Sequence, residues 1–182
     1  MACVILPLDT NCDPSSGGIK VSYITDIENI TSVTWDVNNQ VTGITMEDTD
    51  LWAKFVYENN DTAFYNQVGA RANNGKKHPY TQTAFMQFEG LTNAKRAAVE
   101  ALVECCKLVA IHFTTNGTAM IQGIKKVAGG GLFEETNKPA KMTALFNTDT
   151  SANADRVEFQ LISEDNKLSP FTTLSKAAIE AL

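Results

Sequence analysis

The sequence predicts an α+β fold: a mostly antiparallel β-sandwich or partly closed barrel with one packed amphipathic helix. Strand-length runs, roughly eight of them, alternate apolar and polar residues or stay apolar throughout. One longer run, 94–106, has no Gly or Pro and repeats its apolar residues at helical spacing. Turn residues between the runs, Asn116-Gly117 above all, bring neighbouring strands back antiparallel.

At 182 residues the chain fits one domain, 1–182, large enough to bury a core without disulfides or metals. Apolar content of 43% and charged content of 20% are those of an ordinary globular protein. The net charge of −6 argues against direct phosphate binding and suits a surface that nucleic acid passes without sticking. The N-terminus lacks the basic start and long apolar run of a signal peptide, and no stretch approaches a membrane span.

Residues 1–18 read as an arm: a short apolar start and then a Pro/Ser/Gly connector, suited to packing on a neighbour or to loose order. The β-rich body spans 19–163. Ile19–Ile24 is a short strand. Ile30–Val37 places Val33, Trp35 and Val37 on one side, Asn38–Gln40 turns the chain, and 41–46 returns as the partner strand. Trp35, alternating with two valines, reads as core. Glu47-Asp48-Thr49-Asp50 lacks the ligand spacing and glycine of a calcium loop, so it reads as a solvated acidic turn. Strands follow at 51–57 and 62–68, with a turn at 58–61.

The segment 69–79 is polar and basic, with Arg71, Lys76, Lys77 and His78 close together. It reads either as a nucleic-acid contact or as a protruding loop that docks on an acidic neighbour, and the acidic balance of the chain favours the second. Tyr80–Phe88 is a strand and 93–106 a helix. Thr92 or Asn93 supplies its cap, Ala97, Ala98, Ala101, Leu102 and Cys105 form its apolar stripe, and Arg96–Glu100 makes an i,i+4 pair. Leu108–Phe113 is apolar on both faces, as a strand covered on both sides must be. Beyond the Asn-Gly turn, 118–126 is its partner. Ala128–Gly131 lacks the spacing of a phosphate loop and reads as a connector. The last two strands are 140–147 and 156–162, and 173–182 is a short C-terminal helix.

No catalytic or metal constellation stands out, and no cofactor is expected. Cys3, Cys12, Cys105 and Cys106 form no CxxC pair, and Cys105 on the helix stripe reads as a small buried hydrophobe rather than a nucleophile. His112 lies in an apolar strand and reads as a satisfied buried histidine. Asp155, Glu158 and Glu164 are enzyme candidates only by being acidic. A carbohydrate-binding or adhesion module is the rival class; it would present a row of exposed aromatics.

The order strand, Glu-Gly-Leu-Thr-Asn-Ala-Lys-Arg, helix, strand, Asn-Gly, strand, preceded by Ile-Thr-Ser-Val-Thr-Trp-Asp-Val-Asn-Asn-Gln-Val-Thr-Gly-Ile, resembles small virion proteins of tailed bacteriophages. It is most similar to tail-tube and tail-ring subunits, including those of phages infecting Bacteroidetes, over residues 19–163. The resemblance implies a non-enzymatic virion subunit, made in the host bacterial cytoplasm. It would form a homo-oligomeric ring or tube of six or twelve copies in the tail, around the DNA passage, beside other tail or portal-proximal proteins. A head–tail connector or decoration protein is the neighbouring alternative. In such a ring Glu47, Asp48 and Asp50 are expected to face the lumen, where they repel phosphates, and Arg71, Lys76 and Lys77 to sit at subunit contacts.

Overall fold

The computed structural model describes residues 18–49, 51–57, 62–69, 80–89, 92–115, 117–127, 132–147 and 156–182. The expected arm up to residue 17, the 58–61 turn, the basic loop from residue 70 to 79 and the 128–131 and 148–155 connectors lie outside the described residues.

The strands are β1 (Ile19–Asp26), β2 (Ile30–Trp35), β3 (Val41–Met46), β4 (Ala53–Val56), β5 (Thr62–Gly69) and β6 (Tyr80–Glu89), before the helix α1 (Asn93–Glu104). Then come β7 (Leu108–Thr114), β8 (Ala119–Gln122), β9 (Ile124–Lys126), β10 (Phe133–Glu135), β11 (Lys138–Asn147), β12 (Arg156–Asp165) and β13 (Phe171–Thr172), and a short helix α2 (Lys176–Glu180). The fold is thus β-rich α+β, as the sequence predicts. An 11-stranded mixed sheet dominates it, beside a β9–β10 ribbon. Its pairings are antiparallel except where β13 meets β3.

The pairings fall into two groups. One runs β2-β3-β13-β8-β7-β1-β4 and the other β11-β12-β6-β5, and they meet where Ala140 of β11 pairs with Leu108 of β7. Residues of both groups make up a first core, with Ile24, Phe55, Met86, Phe88, Phe159 and Leu161. Phe88 stacks on Phe159 at 5.4 Å and on Tyr57 at 5.2 Å. The other face of the first group holds a second core around Tyr23, Val41, Val109, Ile111 and Ile121. β7 feeds both, Leu108 and Ala110 on one side and Val109, Ile111 and Phe113 on the other, so both its faces are apolar.

The helix closes the first core with Ala98, Val99, Leu102 and Cys105. Its first turn hangs on Thr92, whose carbonyl accepts the Arg96 N–H at 2.9 Å, and Arg96 Nε meets Glu100 at 2.7 Å on the solvent side. The apolar stripe is rotated from the expected one. Ala97 is exposed and Val99 buried, because the larger branched side chain takes the inward position.

Three expectations about strand extent need correction. Val37 is 95% exposed instead of facing the core. The β2–β3 register shifts between Thr34 and Trp35, and the Asp36 carboxylate then accepts the Asn38 and Gln40 N–H groups at 2.8 and 2.7 Å, ending the strand in a turn. The expected 118–126 strand breaks at Gly123, whose φ of +100° and close approach to Leu108 O admit no Cβ. Residues before the break pair with β7, and those after it pair with β10. Lastly, β12 is not the final strand. β13 follows, Thr173 N–H donates to Val41 O at 3.0 Å, and the terminal helix shrinks to Lys176–Glu180 behind a Ser175 cap.

Candidate assembly interface

Among the described residues, β5 is the longest strand bonded on one side only. It pairs with β6 without a register shift, from Thr62↔Gln87 to Gly69↔Tyr80. Its inward residues are anchored: the Tyr65 hydroxyl bonds Ser169 Oγ, and Gln67 Oε1 accepts the Ser169 N–H at 2.8 Å. Its outward residues are uncharged, with Phe64 45% and Val68 56% exposed and Phe64 stacked on Phe85 at 5.1 Å. Edge strands are normally blunted by lysine, proline or a bulge, and Thr62–Gly69 carries none of these. The other one-sided strands of the large sheet differ: β2 is bulged, and β4 carries Lys54, held by Glu180 at 2.7 Å.

The expected contact residues Arg71, Lys76 and Lys77 fall in the loop that joins β5 to β6 and lie outside the described residues. Of the expected lumen residues, Glu47 and Asp48 are exposed where β3 ends, and Asp50 lies outside the described residues. The Glu47 N–H donates to Asn29 O, and the Asp48 carboxylate accepts the Thr49 N–H, both at 2.8 Å.

The molecule also holds a buried polar cluster that no local pattern in the sequence announces. His112 is wholly buried, its Nδ1 2.8 Å from Ser22 Oγ and its Nε2 3.1 Å from Gln122 Oε1. Gln122 Nε2 donates to the carbonyls of Gln82 and Leu161 at 3.0 and 2.9 Å, so its Oε1 is left to accept. His112 therefore carries its proton on Nε2 and accepts from Ser22. Burial pushes its pKa down from 6.5 to about 4, against the opposing pull of the Gln122 bond, and the ring stays neutral. Ser22, His112 and Gln122 have the contacts of a nucleophile, a base and an orienting group. All three are at 0% exposure, so a substrate has no path to Ser22. The cluster ties β1, β7 and β8 to β6 and β12.

Of the remaining chemical candidates, Cys105 and Glu164 are occupied structurally. Cys105 is buried and its thiol donates to Ala101 O at 3.2 Å, as a small core residue. Glu164 pairs with Lys138 at 2.7 Å. Asp155 lies outside the described residues, and Glu158 is half-buried on β12. The indole Nε1 atoms of Trp35 and Trp52 are buried rather than offered to a sugar. Among the described residues no group of three or more His, Cys, Asp or Glu could hold a metal, and no helix is long and apolar enough to cross a membrane. No protein-family profile matches the sequence, and no curated protein or solved structure matches the chain.

Proposed function

We propose that this chain is a non-enzymatic structural subunit of a bacteriophage tail, assembling with copies of itself as a ring or tube around the DNA passage. The observation that supports this best is β5: among the described residues a bulge-free, charge-free edge whose outward Phe64 and Val68 are exposed. A strand of this kind is a template for pairing with another chain, and a heterologous contact repeated by rotation closes into a ring. The finer architecture belongs to the same proposal. The two strand groups face each other across the first core as a sandwich, cornered where β11 meets β7, with β5 at its free margin. A net charge of −6 suits a passage through which phosphates slide without binding. The subunit would be made in the host cytoplasm and end in the virion.

Electron microscopy of the purified chain tests the proposal, with light scattering for mass. Wild type should form closed rings or tubes, and Val68→Lys, which places a charge on the outward side of β5, should leave a folded monomer. A wild-type chain that is monomeric at every concentration and absent from virions would overturn it.

A further inference from the structure

The β2–β3 hairpin carries unlike surfaces at its two ends. At the turn end a cleft of about 240 Å³ opens between residues 38–40, β9 and the 167–171 segment. Lys125, Lys126 and Lys167 line it together with Trp35 and Phe171, and no carboxylate does. Lys125 is engaged, 2.6 Å from Asn137 Oδ1, 3.4 Å from Glu134 and 4.0 Å from Asp165, which leaves Lys126 and Lys167 as the open charges. Lys126 reaches only a backbone carbonyl, that of Asp36, at 3.5 Å. Among the described residues no ion pair involves Lys126 or Lys167. Three exposed apolar side chains belong to the same end: Val37, Leu168 and Phe171, at 95%, 56% and 49%. In a chain of net charge −6, a lysine cleft beside exposed apolar groups fits an acidic partner segment.

Such a segment is present at the other end of the hairpin. Glu47 and Asp48 project from the end of β3, and exposed Glu28 stands in the Ile27–Asn29 turn to which Glu47 is bonded. The two ends lie about 20 Å apart along six-residue strands, too far for a single chain to join them. We infer that the acidic end of this hairpin in one copy docks in the Lys125–Lys126–Lys167 cleft of the next. The inference rests on the proposal that the chain assembles with itself, and adds a direction to it. Pairing at β5 joins copies sideways, whereas this contact joins them end to end along the strands, as a tube requires. It places Glu47 and Asp48 at a joint between copies and not on a lumen.

Charge exchange tests it. Lys126→Glu/Lys167→Glu and Glu47→Lys/Asp48→Lys should each lose wild-type particle size by light scattering and microscopy, with circular dichroism and Tm unchanged. Mixed in equal amounts, the two variants should recover it, because every junction then joins an acidic to a basic surface. Should the half-buried Lys126 position lower Tm, exposed Lys167→Glu alone carries the same expectation. Wild-type particle size in either variant, or no recovery on mixing, overturns the inference and leaves the ring proposal standing. A monomeric wild type overturns both.

Discussion

β7 and β5 are strands of seven and eight residues with opposite fates. β7 is bonded along both sides, and Leu108–Phe113 are all buried. Among the described residues β5 is bonded along one side, and it turns every second residue outward. Continuous burial leaves β7 no freedom of register, since a slip of one residue would exchange His112 for an apolar neighbour in a site built for its two hydrogen bonds. β5 needs its inner face alone to hold its place, so its outer face is free to carry a different task. The contrast separates residues that specify the fold from residues that the fold leaves exposed.

The sharpest way to break the contrast is at the centre. Ile111→Asp buries an unpaired carboxylate in a strand at 0% exposure, a cost comparable to the whole stability of a domain, so little folded protein should survive by circular dichroism. Acid is the next probe. His112 in the folded chain protonates near 4 and in the unfolded chain near 6.5, so the unfolded state takes up the proton first. The stability this group contributes is whole above pH 6.5 and is lost as pH falls from there towards 4, by about 3 kcal/mol in total. Urea unfolding from pH 7 to 4.5 should show that slope in wild type and a shallower one in His112→Gln. Gln122→Leu removes the donor to two buried carbonyls, and should cost roughly 2 kcal/mol at pH 7 in the same assay. At the edge, Val68→Thr, which leaves the stack of Phe64 on Phe85 in place, should shift stability by less than about 0.5 kcal/mol, yet lower self-association measured by sedimentation. A loss at the edge as large as that at Gln122 would mean that β5 is held by its outward face and that the contrast is wrong.

Legibility follows the same division. Tyr80–Glu89 and α1 stand in the sequence because each is set by its own periodicity, β7 because its run is apolar on both faces, and the Gly117 φ of +81° agrees with the turn expected there. Gly123 shows what a single residue hides. A glycine inside a strand pattern is a standing sign of a bulge or a close backbone approach, and it marks where the chain leaves β7 for β10. Phe171-Thr172 is too short to announce itself, and its partner Val41 is 131 positions away by the Thr172 hydroxyl bond. The histidine was recognisable as buried, but its partners were not: Ser22 is 90 positions away on another strand. The lysine cleft was invisible for the same reason, since β9 and the 167–171 segment meet only in the fold.

The place of β13 bears on how the chain comes to be folded at all. It lies between β3 and β8, so Phe171 and Thr172 fill the middle of a row whose other members were synthesised long before. Until that segment has left the ribosome, β3 and β8 each present an unbonded side, and the second core lacks Ile179 and its cover. Pairings that span so much of the chain close slowly, and a nascent chain with two open strand sides is exposed to its neighbours on the same message. Completion of the sheet therefore waits for the synthesis of β13. A chain cut before residue 170 should collect in aggregates, whatever the quality of the strands it retains.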